Sequence, residues 1–188
     1  METILGTHIV ASGKVLQIEG VDIDFGNGKT ATFEMASFRP KDDEPAGGVI
    51  IGGYDTDTTE IILIQQFQVA LGQPTYLLPR WGLLAWKSKQ ESAAQEFLEE
   101  TGYEAEQWIE MPMIYTSPWY FNQQTTIFFA YDITLSENNV DGDEFEDTLV
   151  HRIPLANAID MIMQGSIVDA RTIATILMMR QYLETHNV

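Results

Sequence analysis

Ser88-Lys-Gln-Glu-Ser-Ala-Ala-Gln95-Glu96-Phe97-Leu98-Glu99-Glu100-Thr101-Gly102-Tyr103 is the stretch on which the fold turns. Ser88 with Glu91 three residues later forms a capping-box pattern, and Ala93-Ala94 open a run without Gly or Pro. Gly102 stands where a left-handed stop is expected. The segment therefore predicts a helix over Ser88–Thr101. At about 100° per residue, Glu96, Glu99, Glu100 and Tyr103 share one face, while Ala94, Phe97, Leu98 and Thr101 lie opposite, on the face expected to dock on the core. Like charges so placed repel by a few tenths of a kcal/mol per pair on an exposed helix. A hard divalent cation, which prefers oxygen ligands, removes that repulsion. The face reads either as a metal-binding surface or as the solvated side of an acidic helix.

Around this helix the chain predicts alternating strands and helices. Upstream, Thr7 to Arg39 is strand-like: Val21, Ile23 and Phe25 alternate with acids, Asn27-Gly28 supplies a hairpin turn, and Thr30 to Phe38 returns. The polar stretch Pro40 to Pro45 marks a boundary between an N-terminal β-rich segment, 1–45, and a main domain, 46–188. Gly48-Val-Ile-Ile and Glu60-Ile-Ile-Leu-Ile-Gln read as buried strands on either side of a turn at Tyr54–Thr58. Downstream, strands are expected near Ile109–Tyr115, Thr125–Ile133 and Leu149–Ile153, with an acidic loop over Ser136–Asp147. Pro154 opens a second helix that Gly165 closes, and Asp169 caps a last helix through Leu183. The result is an α/β domain behind a small β-ribbon.

Bulk properties narrow the function. The 188 residues carry 28 acids against 10 bases, a formal net charge of −18, and no cysteine. A polynucleotide partner is excluded on charge, since its binding depends on neutralising phosphates with Lys and Arg. The absence of cysteine removes thiol nucleophiles and thiolate zinc sites and suits a reducing cytoplasm. The first residues lack the pattern of a signal peptide, and no apolar run approaches the ~20 residues of a membrane span. His8, His151 and His186 show no metal-ligand interval, and Trp86 and Trp108 read as packing residues.

Glu96, Phe97, Glu99, Glu100, Gly102 and Tyr103 match the second half of the Nudix signature at its spacing, Glu-hydrophobic-x-Glu-Glu-x-Gly-hydrophobic. Other segments resemble that family in order. Asn27-Gly-Lys-Thr is similar to the N-terminal β-ribbon of ADP-ribose pyrophosphatases, and Ile61-Ile-Leu-Ile-Gln-Gln-Phe to their central strand. Leu78-Pro79-Arg80 resembles the turn before the signature, Ser117-Pro118 a later turn, and Ile167-Val-Asp-Ala-Arg-Thr the opening of the last helix. The resemblance spans nearly the whole chain. It implies a Nudix α/β/α sandwich with a mixed sheet and a homodimer built through the ribbon.

It also implies roles. Glu96 and Glu100 would be the main ligands of Mg²⁺ or Mn²⁺, Glu99 a ligand or a partner of metal-bound water, and the Arg80 carbonyl a further ligand. Glu146, or second Glu144, would deprotonate the attacking water. Both also read as ordinary solvated acids of the 136–147 loop. The first half of the signature departs from the family pattern. Trp81 replaces its opening glycine with Gly82 displaced by one, Lys87 replaces a glutamate, and Gln95 replaces the arginine. Leu77 and Gln123 stand where acids are common, and Trp119 replaces a turn glycine. Trp81 and Trp119 either plug a disused cleft or stack on a base or sugar. Lys87 is a phosphate clamp or an exposed lysine, and Arg80 joins these as a substrate contact. The functional expectation is a metal-dependent hydrolase of a nucleoside diphosphate linked to a sugar or another moiety. The alternative is a catalytically silent Nudix fold that binds a nucleotide or a protein. An unrelated acidic interaction protein is the third reading.

Overall fold

The computed structural model describes residues 1–39, 47–82, 87–137 and 148–186. Three antiparallel strands, β1 (Thr3–Ser12), β2 (Leu16–Asp24) and β3 (Thr30–Phe38), form an N-terminal sheet in that order. The β2–β3 hairpin closes as its residue types require. The Asp24 and Asn27 carboxyl and amide oxygens accept the Gly26 and Lys29 N–H groups at 2.8 and 3.1 Å. Gly26 and Gly28 take φ of 68° and 81°, a conformation that favours glycine. The pattern locates this hairpin correctly but starts its first strand at Thr7, four residues late. The expected boundary at Pro40–Pro45 lies outside the described residues.

The main sheet has seven strands: β4 (Gly48–Asp55), β5 (Glu60–Gln68), β6 (Gln73–Leu77), β7 (Arg80–Gly82), β8 (Tyr103–Tyr115), β9 (Gln124–Leu135) and β10 (Leu149–Pro154). Its central path runs β10-β5-β4-β9-β8, with β4 and β9 parallel and the other pairs antiparallel. β4 and β5 pair only beside their turn, at Tyr54–Ile61 and Asp55–Glu60, and then diverge. The gap is filled by one segment: β6 pairs with the far half of β5, and β7 with Gly48–Ile50 of β4. Between them the Ile51 N–H donates to the Pro79 carbonyl at 2.9 Å. β6 and β7 are absent from the sequence expectation, which has only a turn at Leu78–Arg80.

Helices cover both faces, giving the α/β/α sandwich with a mixed sheet. α1 (Lys89–Thr101) lies on one face, over a core of Val49, Ile51, Ile62, Phe97, Phe128 and Ala130. α2 (Leu155–Met163) and α3 (Ala170–His186) lie on the other, over Ile50, Leu63, Ile127, Phe129, Ile176 and Met179. Adjacent glycines on β4 receive the two layers. A Cβ at Gly53 would lie 2.5 Å from Phe97 Cζ of α1, and one at Gly52 would lie 2.2 Å from Met179 Cε of α3. Trp108 packs edge-on against Phe97 and Phe128 at 6.1 and 6.3 Å, in the packing role its sequence suggests.

Candidate active site

α1 begins and ends as its sequence requires. The Ser88 side chain caps the Glu91 N–H, the Glu91 carboxylate accepts from Ser88, and Gly102 turns left-handed at φ 75°. The hydrogen bonds from the Ser88 hydroxyl and amide hold the Glu91 carboxyl below its ordinary range. The buried face of the helix differs from expectation: it comprises Ser92, Ala93, Glu96, Phe97 and Thr101, whereas Ala94 and Leu98 are half-buried. The small Ala93 and the aromatic Phe97 lie against the sheet, and this rotates Glu96 inward to 9 % exposure. Glu99 and Glu100, about one turn nearer the C-terminus, are half-buried.

The helix meets the Leu78–Arg80 segment through its carboxylates. Glu100 Oε2 accepts the backbone N–H of Arg80 at 3.0 Å. The Arg80 side chain turns away from that contact, toward the α3 side: its guanidinium donates to Gln68 Oε1 at 2.9 Å and lies 3.7 Å from Asp169 Oδ2. Asp169 in turn accepts from the Thr172 amide and hydroxyl at 2.9 and 3.1 Å. The buried Thr172 hydroxyl accepts the Leu78 N–H at 3.2 Å. Nothing in the local sequence marks Gln68, Asp169 or Thr172 as site residues, because the groups they hold at Leu78 and Arg80 belong to another segment of the chain.

Where the family carries an arginine, Gln95 bridges two charged groups. Its Nε2 donates to Glu99 Oε1 at 2.6 Å, one helical turn on. Its Oε1 accepts from the Lys87 ammonium. Lys87 is therefore neither loose in solvent nor remote from the carboxylates. Trp81 is 55 % exposed on β7, and Trp119 is 83 % exposed in the turn that follows Ser117-Pro118. The Trp119 ring meets Phe33 of β3 edge-on at 6.3 Å. The same turn joins the two sheets: the Ala36 N–H donates to the Tyr120 carbonyl at 2.6 Å, and Phe38 packs on Phe121 at 5.3 Å. Glu144 and Glu146 lie outside the described residues.

The donor chemistry suits a hard cation, with carboxylates at Glu96, Glu99 and Glu100 and a carbonyl at Arg80. Among the described residues no three His, Asp or Glu side chains form a cage around one point. Mg²⁺ does not require one, since it is commonly held by one or two carboxylates while keeping waters or substrate phosphates. His8, His151 and His186 stand apart from the site: His8 is 3.7 Å from Asp22, His151 packs on Tyr76, and His186 stacks on Tyr182. Among the described residues no helix is long and apolar enough to cross a membrane.

Residues 3–34 match the NudE-type Nudix hydrolase N-terminal domain. Across 97 % of this chain and 93 % of the relative, the sequence is 30 % identical to the ADP compounds hydrolase NudE of Escherichia coli K12. It is 27 % identical to the ADP-ribose pyrophosphatase of Bacillus subtilis strain 168, over 97 % of this chain and 92 % of that one. A crystal structure of an ADP compounds hydrolase superposes with a TM-score of 0.84 at 25 % identity, covering 98 % of this chain and 95 % of the other. The fold thus coincides with that of a solved ADP compounds hydrolase over nearly its whole length, and the chain belongs to the Nudix hydrolase family, among the relatives of ADP-ribose pyrophosphatase.

Proposed function

We propose that this protein is a divalent-metal-dependent hydrolase that cleaves the pyrophosphate of a nucleoside diphosphate linked to a sugar or another moiety, of the ADP-ribose kind. The observation that carries the reading is the Glu100–Arg80 contact. It brings the carboxylate helix against the Arg80 backbone in a chain whose full-length relatives bear names of ADP-ribose pyrophosphatase and ADP compounds hydrolase.

Glu96, Glu99 and Glu100, with the Arg80 carbonyl, would hold the ion, Mg²⁺ or Mn²⁺. Such an ion polarises phosphoryl oxygens and offsets the charge that develops as the anhydride breaks. Gln95 orients Glu99, and Lys87 places a cation beside it where phosphate charge is to be met. Water attacks one phosphorus, the bridging P–O bond breaks, and the products are a nucleoside monophosphate and a sugar phosphate. Glu146, with Glu144 second, takes the proton from that water. The exposed faces of Trp81 and Trp119 are available to a base or sugar, and a free aromatic face gives large contact at low entropy cost. Arg80 would meet the substrate through the ion its carbonyl holds, since its N–H is taken by Glu100 and its guanidinium by Gln68 and Asp169.

The ribbon offers a basis for a homodimer: its edge strand β1 exposes Ile4, Leu5, Ile9 and Val10. The cysteine-free composition suits the cytoplasm. One observation favours a second reading, a silent nucleotide-binding or protein-binding Nudix module. The Lys87–Gln95–Glu99 chain already occupies one oxygen of the carboxylate set. Incubation with ADP-ribose and a panel of nucleotide sugars, with Mg²⁺ and separately with Mn²⁺, separates the two. Metal-dependent release of a nucleoside monophosphate, abolished in Glu100→Gln, supports the hydrolase. Ligand-induced thermal stabilisation without product at high enzyme concentration supports the binding module.

A further inference from the structure

The Leu78–Arg80 segment is gripped from both faces of the sheet, and one grip lies outside the carboxylate helix. On the α1 side, Glu100 accepts the Arg80 N–H at 3.0 Å. On the α3 side, the fully buried Thr172 hydroxyl accepts the Leu78 N–H at 3.2 Å, and the Arg80 guanidinium lies 3.7 Å from Asp169. We propose that Thr172 and Asp169 are positioning residues for Glu100, because together they fix the backbone N–H that this carboxylate accepts.

The polarity of the contacts leaves little freedom. Thr172 directs its hydroxyl proton to Asp169 Oδ1 at 3.1 Å, which turns its lone pairs toward Leu78. Asp169 Oδ1 is itself held by the Thr172 amide at 2.9 Å, and Oδ2 by Arg171 at 3.4 Å as well as Arg80. The residue between the two gripped positions is Pro79, whose ring locks φ. Its carbonyl accepts from Ile51 of the central strand β4 at 2.9 Å. Asp169, to which the Thr172 hydroxyl donates, also faces the Arg80 guanidinium at 3.7 Å, so the Thr172 pair is tied to Arg80 directly as well as through Leu78. A buried backbone N–H deprived of its acceptor seeks another, so loss of the Thr172 hydroxyl moves the segment that presents the Arg80 N–H.

The inference rests on the reading of Glu100 as a metal ligand, and its test keeps the two apart. Mn²⁺ titration of the substrate-free protein, followed by electron paramagnetic resonance, compares the wild type with Glu100→Gln, Thr172→Val, Thr172→Ser and Asp169→Asn. The valine keeps the shape and loses the hydroxyl, the serine restores the hydroxyl, and the asparagine keeps the helix cap while losing the charge. The half-saturating Mn²⁺ concentration should rise about 10-fold in Thr172→Val, the low end of the effect of removing a group that orients a ligand, and return to within about twofold in Thr172→Ser. Asp169→Asn should raise it in the same direction and decides the matter if the valine variant fails to fold. The metal-free readout is amide exchange at Arg80, which should lose protection in Thr172→Val and regain it in Thr172→Ser. Folded clamp variants with wild-type Mn²⁺ affinity and a protected Arg80 amide would overturn the proposal. A wild type with no Glu100-dependent Mn²⁺ binding overturns the hydrolase reading instead, and amide exchange alone then decides the clamp.

Discussion

Gly53 and Phe97 are the contact on which α1 rests, and a double-mutant cycle between them measures how closely the carboxylate helix is seated. Phe97 is fully buried, and a Cβ at position 53 would meet its ring at 2.5 and 2.7 Å. Gly53→Ala overpacks this contact and should cost about 1–3 kcal/mol. Phe97→Ala removes the ring and should cost about 3–5 kcal/mol. With the ring gone the added methyl has room. There, Ala in a strand gains the roughly 0.5–1 kcal/mol that Gly forfeits in chain entropy, so Gly53→Ala becomes neutral or stabilising. The double variant should therefore be more stable than the sum of the single effects predicts, by about 1–4 kcal/mol. Equilibrium urea unfolding with unchanged m-values reads this directly. Gly52→Ala is the control: its Cβ meets the flexible end of Met179, which can swing aside, so its cost should be smaller. Equal costs for Gly53→Ala in both backgrounds would refute the reasoning, because the glycine would then not be there to admit Phe97.

Two further outcomes follow from other parts of the molecule. Burial raises the Asp55 carboxyl, but hydrogen bonds from Arg152 and from the Thr58 and Asp57 amides outweigh it and hold the group below its ordinary value. A depressed carboxylate stabilises the fold above its unfolded pKa, and that stabilisation is lost as pH falls through the folded value. Asp55→Asn should thus cost about 1 kcal/mol at neutral pH and progressively less as the pH falls below the ordinary carboxylate range, as chemical unfolding at neutral and acid pH would show. Trp119, 83 % exposed, can be replaced by Ala with little effect on stability. If it stacks on the base, its loss removes about 1–3 kcal/mol of binding, a roughly 5- to 150-fold rise in KM for an active substrate. An unchanged KM would confine Trp119 to packing on Phe33.

The parts of the fold legible in sequence were those determined by neighbours along the chain. The capping box at Ser88, the stop at Gly102, the Asn27-Gly28 hairpin and the cap at Asp169 each depend on residues a few positions apart, and each stands where its chemistry puts it. Strands β6 and β7 escaped detection because β6 carries Pro74 and β7 is three residues long; both exist by pairing with β5 and β4 across the divergence. Helical periodicity puts Glu96, Glu99 and Glu100 on one face of α1, but it does not find the side that is buried, which takes in Glu96. That side is chosen by Gly53 and Trp108, which no wheel of the helix contains. Arg80 was legible as a site position but not in its geometry, since its guanidinium answers to Asp169, on another element.

The divergence of β4 and β5 has a consequence for the thermodynamics of ligand capture. Turns that shape a binding cleft are ordinarily loops, and ordering such a loop at the moment of association costs about 1–2 kcal/mol per residue in backbone entropy. Leu78–Arg80 is instead inserted into the splayed sheet and shares its hydrogen bonds, so that ordering is completed when the chain folds. A ligand held at Arg80 as proposed would have no such loop-ordering entropy to overcome in this segment.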